Sequence, residues 1–138
     1  MASLEYLAGY FDGEGCVCVS AGSHGAKSLY LLITIQTGDP EIVQLFAEQF
    51  GGTCKAIANK PNASRQQYRW AIYGVKAQNA LRQLLPFLIG KREVAELALI
   101  PVFGFRGKSC VPKEEVERRN NVASKISTIN QRVTIATA

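Results

Sequence analysis

Residues 28–36, SLYLLITIQ, place Leu29, Leu31, Ile33 and Ile35 at every second position, with Ser28, Tyr30, Thr34 and Gln36 between them. Leu32 is the one exception. A period of two describes a strand buried on one face, and a helix cannot satisfy it. The chain must therefore build a sheet with one apolar and one polar side. CVCVS at 16–20 repeats the pattern, with Val17 and Val19 on one face and Cys16, Cys18 and Ser20 on the other. AGSHGAK between the two strands reads as a turn. TCKAIANK and RQQYRWAIY predict a second hairpin turning around Pro61 and Asn62, in which Tyr68, Trp70 and Ile72 share one face and Gln67 and Arg69 the other.

Helical signals separate and follow the hairpins. SLEYLAGYFDGEG opens with Ser3 as an N-cap and Glu5 in the first turn, and Gly13 and Gly15 mark its end. A second helix starts at Asp39-Pro40, a good cap followed by the residue favoured at the first helical position. Its expected core stripe is Ile42, Phe46 and Phe50, and Gly51-Gly52 stops it. VKAQNALRQLLPFL predicts a third helix broken near Pro86, KREVAELALIPVF a short apolar one, and Pro112 opens a last charged helix to about Asn130. The order helix, hairpin, helix, hairpin, helices is α+β: one four-stranded antiparallel sheet with helices on one face. A length of 138 residues with 47% hydrophobic side chains supplies one core, so a single domain over 1–138 is expected. No apolar run reaches the roughly 18 residues a membrane span needs.

The charges are unevenly placed. Residues 1–60 sum to −3, residues 61–112 to +6 and the remainder to +2. The basic excess suits an acidic partner or an ordinary solvated face. Cys16, Cys18, Cys54 and Cys110 form no C-x-x-C, and His24 is the one histidine, so the usual zinc ligand sets have no place to form. The opening residues carry neither a basic lead nor a small-residue cleavage site, and the expectation is an intracellular chain with free thiols, in cytoplasm or organelle matrix. The basic last segment, with Arg118, Arg119, Lys125 and Arg132, reads better as a solvated helix than as a backbone contact.

Two features ask for chemistry. The polar side of the sheet, bordered by Lys27, Lys55, Asn59 and Lys60, is either the wet side of an antiparallel sheet or a base-reading surface of short hydrogen-bonding side chains edged by cations. In LAGYFDGEG, residues 7–15, Gly9 and Gly13 stack on one helical face. Each costs about 1 kcal/mol relative to alanine, which close approach of another backbone would offset. Glu14 sits at the negative end of the helix dipole, a poor place for a carboxylate unless a cation neutralises it. A glycine-punctuated helix end with an incidental acid is the plainer alternative.

Leu7, Ala8, Gly9, Asp12, Gly13 and Gly15, with Glu14 for the usual aspartate, resemble the signature of the LAGLIDADG homing endonucleases. IQTGDPEIVQLFAEQFGG is similar to that family's second strand and following helix, RWAIYG to its fourth strand, and LLPFLIGKRE to its later helix and lysine segment, so the likeness covers residues 4 to about 100. It implies the family's saddle-shaped sheet and a site-specific double-strand DNA endonuclease using Mg2+ or another divalent cation. Glu14 matches the metal-binding acid, with the Gly13 carbonyl as a further ligand. Asp12 matches an acid that hydrogen-bonds at the helix end. Lys91 matches the basic residue supporting the site, with Arg92 as fallback. Aligning on Asp39 and Glu41 puts Thr37 where members often carry a glutamine; Gln36 lies beside it, and both stand as candidates. One motif implies a homodimer packed through Leu7, Gly9, Tyr10 and Gly13, acting on a long pseudo-palindromic DNA site. The DNA-facing candidates are then Cys16, Cys18, Ser20, Lys27, Ser28, Tyr30, Thr34, Gln36, Lys55, Asn59, Gln67 and Arg69. The alternative is a nucleic-acid-binding module without cleavage, such as an intron RNA maturase. No membrane partner is expected.

Overall fold

A computed structural model describes residues 2–22, 25–57, 65–101 and 112–137, with the side chains of 20–22, 25–29 and 131–137 also outside the description. The first helix, α1 (Leu4–Glu14), starts where the sequence sets it: Ser3 Oγ accepts the Tyr6 N–H at 3.1 Å. Leu7, Ala8 and Phe11 form its buried stripe. At Gly15 the backbone turns extended and runs straight into β1 (Gly15–Gly22), which pairs with β2 (Gly25–Thr37) from Gly15 opposite Ile35 to Ser20 opposite Tyr30.

α2 (Pro40–Phe50) follows Asp39, yet Asp39 does not cap it through its side chain. Its carboxylate instead accepts from Arg65 Nη2 at 2.9 Å, so Pro40 at the first position and the Glu41 charge carry the helix start. The buried stripe is Val43 and Phe46, with Ile42 and Phe50 only partly covered, because α2 is rotated toward the β-sheet rather than centred on the expected 42–46–50 line. Gly51 and Gly52 take φ of +83° and +90° and stop it. β3 (Thr53–Ile57) and β4 (Gln67–Tyr73) pair antiparallel, with Lys55 opposite Arg69.

β4 also pairs with β2, giving the antiparallel order β1-β2-β4-β3 and putting the two longest apolar alternations in the centre. α3 (Gly74–Leu84) ends in a 3-10 turn (Leu85–Phe87) at Pro86, and α4 (Arg92–Ala98) and α5 (Lys113–Thr137) complete the described elements. One sheet face meets the helices. Val17, Leu31, Ile33, Ile35, Trp70 and Ile72 from the strands are buried against Leu7, Phe11, Phe46, Leu81 and Leu88. Trp70 anchors the layer: its ring lies 5.0 Å from Phe46 and its Nε1 donates to the Gly51 carbonyl at 2.8 Å, satisfying the one polar atom of a wholly buried side chain.

The last helix corrects an expectation. α5 is not a freely solvated charged helix: Glu115, Arg119, Val122 and Ile126 are buried along one side, and it packs on α4 and β1. Burial pulls the Arg119 guanidinium below its usual range, opposed by the Glu115 carboxylate. Arg118 Nη1 donates to Glu115 at 2.6 Å, while Lys125 remains exposed.

Candidate functional site

The acid singled out in the sequence lies at a junction of three elements. Glu14 is the last residue of α1, exposed, immediately before β1. Two residues back, the Asp12 carboxylate accepts the backbone N–H of Ile89 at 2.8 Å and of Lys91 at 2.9 Å. Lys91 returns the contact, its Nζ donating to the Asp12 carbonyl at 2.8 Å. This three-bond clasp pins the segment ahead of α4 to the C-terminal end of α1. It also sets an ammonium on the last-turn carbonyls, where the helix dipole favours a cation. Part of the charge compensation expected of a divalent ion beside Glu14 is thus supplied by Lys91 itself. Arg92 points elsewhere, with Nη2 at 3.5 Å from the Pro86 carbonyl.

A cavity of about 320 Å³ opens beside the clasp, lined by Asp12, Cys16, Val17, Lys91 and Val94, with Asn130 of α5 closing one wall. Asn130 Nδ2 donates to the Val17 carbonyl at 3.2 Å. A hydrogen bond with Cys18, then burial, pushes the Cys16 thiol well above its usual range, against the pull of Lys91 and Arg69.

The open side of the sheet follows from the register. Gln36, Arg69 and Lys55 form the row level with Glu14. Next come Cys16, Thr34, Ala71 and Thr53, then Cys18, Leu32 and Tyr73, and finally Ser20 and Tyr30. Gln67 begins the opposite end beside Ile57. The structure therefore brings Cys16, Cys18, Tyr30, Thr34, Gln36, Lys55, Gln67 and Arg69 onto one surface. The side chains of Ser20, Lys27 and Ser28, and the whole of Asn59, lie outside the described residues. Thr53, Tyr73 and Leu32 belong to this surface and were missed. Tyr73 shares the parity of Gln67 and Arg69, which would have found it, and Leu32 is no longer an exception to the alternation once it is seen facing Tyr73.

Two expectations change at α1. Leu7 is 1% exposed, sealed into the core beneath α1, and cannot contribute to a surface contact. Tyr10 is half-buried, with its hydroxyl donating to Thr37 Oγ1 at 2.7 Å. Besides Glu5 and Glu14, α1 exposes Tyr6, Gly9 and Gly13, at spacings of three and four, and no described atom stands within 4 Å of where a β-carbon on either glycine would sit. Thr37 is 8% exposed and its hydroxyl also accepts the Asp39 N–H at 3.3 Å, so it is occupied within the fold, whereas Gln36 is free on the open face.

Among the described residues no three His, Cys, Asp or Glu side chains converge as a metal site, and no helix is long and apolar enough to cross a membrane. The donors at the α1 end are all oxygen, a carboxylate and backbone carbonyls. That set fits a hard cation such as Mg2+, which keeps most of its waters and takes one or two carboxylates.

No family model and no curated protein matches this sequence. Solved structures do. The homing endonuclease I-CvuI, in complex with its target in the presence of Ca, superimposes with a TM-score of 0.69 at 19% identity over 91% of this chain and 80% of its own. The archaeal intron-encoded homing endonuclease I-Vdi141I, complexed with DNA, gives 0.63 at 20% identity over 91% and 82%. The I-LtrWI LAGLIDADG homing endonuclease, bound to target DNA, gives 0.64 at 19% identity, covering 90% of this chain but 44% of that one. These structural neighbours are homing endonucleases, a LAGLIDADG one among them, and the α+β fold, with its open four-stranded antiparallel sheet, is theirs.

Proposed function

We propose that the chain is a site-specific double-strand DNA endonuclease that acts as a homodimer and depends on a divalent cation. One observation carries the reading: the end of α1 holds an exposed carboxylate, Glu14, and, two residues back on the Asp12 carbonyl, the clasped ammonium of Lys91, at the end of an open sheet whose row Gln36–Arg69–Lys55 is cationic. Hydrolysing a phosphodiester needs charge neutralised at the phosphate and a positioned water. Glu14 and the Gly13 carbonyl would hold Mg2+, which when bound supplies Lewis-acid activation of water and phosphate. Lys91, held by Asp12, places positive charge where the phosphate must sit. Gln36, exposed in the row level with Glu14, would hold water or phosphate there. Arg69 and Lys55 attract the backbone and set the register of the duplex, and the remaining rows face the base edges of the major groove.

The homodimer is supported by what α1 leaves uncovered. Tyr6, Gly9 and Gly13 form a flat stripe that lets a second helix approach closely. A second copy would bring a second Glu14 across the axis, and paired carboxylates favour a divalent cation between them. The match to under half of I-LtrWI agrees with one chain supplying half of such an assembly.

The test is a randomised, pseudo-palindromic duplex library incubated with the chain in Mg2+, then in Ca2+, beside Glu14→Gln. The expected result is double-strand cutting of a narrow sequence set in Mg2+, lost in Glu14→Gln while duplex affinity is kept. Selective binding with no cutting in any divalent metal would overturn the nuclease and leave a binding module.

A further inference from the structure

Beyond the rows that hydrogen-bond, the described side chains of the open face include an apolar patch. Tyr73 is 63% exposed and Tyr30 37%, and their rings stand edge to face with centroids 6.3 Å apart. Leu32 adjoins both in the register, directly opposite Tyr73 and two residues from Tyr30 along β2. Among the described residues both tyrosines are exposed and Leu32 is half-buried, and the edge-to-face contact helps to hold the two rings in place. They are also set apart from the charged end. Leu32 and Gln36 are four positions apart on β2, about 13 Å or some four base pairs along a duplex.

A surface that reads the major groove meets acceptors and donors at every base pair, and only one apolar group, the C5 methyl of thymine. An apolar patch on such a surface has one complementary feature to find there. We infer that Tyr30, Leu32 and Tyr73 form a methyl-reading subsite, selecting thymine, or a cytosine carrying the same C5 methyl, in the outer part of each half-site. The inference rests on the endonuclease reading and deepens it, since it states which base chemistry the sheet requires and where. Rows nearer Glu14 carry Gln36, Arg69 and Lys55, then Thr34, Ala71 and Thr53, whose small methyl groups can also touch a thymine methyl but offer no aromatic face to it. Tyr73 is the anchor of the subsite because it is the most exposed of the three.

The experiment uses duplexes selected by the full chain from a randomised library, with thymine replaced by deoxyuridine one pair at a time. This removes a single methyl and leaves every hydrogen-bonding group in place. The expected result is a thymine preferred at one or more outer pairs, where deoxyuridine binds about fourfold more weakly, the value for burying one methyl. Restoring the methyl as 5-methylcytosine against cytosine at the same pair should recover a similar ratio. Tyr73→Ala should abolish the thymine–deoxyuridine difference and Tyr73→Phe should keep it. An unchanged melting temperature in both variants, expected for so exposed a side chain, separates reading from folding. A selected duplex indifferent to the methyl at all outer pairs, or a Tyr73→Ala chain that still discriminates, overturns this inference and leaves the endonuclease standing. A chain that selects no duplex overturns both.

Discussion

At the scale of single residues, Gly15 is the position where the chain has least room. A β-carbon there would press into the Phe11 ring and lie 2.6 Å from the Phe11 carbonyl oxygen, and Phe11 is wholly buried. Relief would require moving the end of α1 away from β1. Gly15→Ala is expected to lower stability by about 1–3 kcal/mol, the usual cost of overpacking, read from the urea midpoint at constant slope. The α2 exit gives a graded companion. Gly51 and Gly52 both have positive φ, but only at Gly52 would a β-carbon meet the Ala71 carbonyl at 2.5 Å and Trp70 Nε1 at 2.9 Å. Gly51, at φ +83° and ψ −156°, occupies backbone space essentially reserved for glycine, so Gly51→Ala should cost about 1–3 kcal/mol and Gly52→Ala clearly more. Equal losses at the two positions would mean that Trp70 moves aside freely, against its fixed bond to the Gly51 carbonyl.

Between elements, the decisive contact is the clasp joining the end of α1 to the entry of α4. Asp12→Asn leaves an amide nitrogen facing one of two backbone N–H groups that now share a carboxylate. The expected loss is about 1–3 kcal/mol of stability, as for other groups left without partners. Cleavage should fall further than duplex binding, because the backbone of Lys91 loses side-chain bonds that position it, although its Nζ can still reach the main-chain carbonyl of residue 12. Lys91→Met should keep the fold and lower the cleavage rate by about 100-fold or more, the scale for removing one group that stabilises developing charge. An Asp12→Asn chain that cuts at the unaltered rate would show that the clasp is structural only. The sequence made much of this legible. Strand parity put Gln36, Thr34 and Arg69 on the open face because a period of two admits only two faces, and Asp12 was expected at a helix-end hydrogen bond. Other parts were hidden for identifiable reasons. The β2–β4 pairing joins segments more than thirty residues apart, and no local pattern encodes it. The buried side of α5 reads Glu115, Arg119, Val122, Ile126, a proper helical stripe in which two of four positions are charged, so it looked like a solvated face. Leu7 belongs to a signature that suggested an interface, but which side of an amphipathic helix meets the core is decided by the sheet beneath it.

For the whole molecule, the open question of scale is whether the exposed side of α1 is a contact between two chains. The monomer gives a sharp contrast to exploit. No described atom lies within 4 Å of a β-carbon built on Gly9, so within one chain Gly9→Ala meets no obstacle and gains about 1 kcal/mol of helix propensity. Across a two-fold axis through Tyr6, Gly9 and Gly13, the same methyl would stand between two backbones and hold the helices apart. Folding stability and association should therefore move in opposite directions. The expected outcome for Gly9→Ala, and more strongly for Gly9→Val, is an intact far-ultraviolet spectrum with a sedimentation mass shifted from two chains toward one. Double-strand cutting should be lost with the dimer, since each copy carries a single Glu14–Lys91 pair and can address one strand, while single-chain binding to a half-site persists at lower affinity. If Gly9→Val still sediments as a dimer and still cuts both strands, the two copies do not meet through α1. The interface would then have to include some other exposed apolar group, of which Ile89, 88% exposed beside the Asp12 clasp, is the first to test.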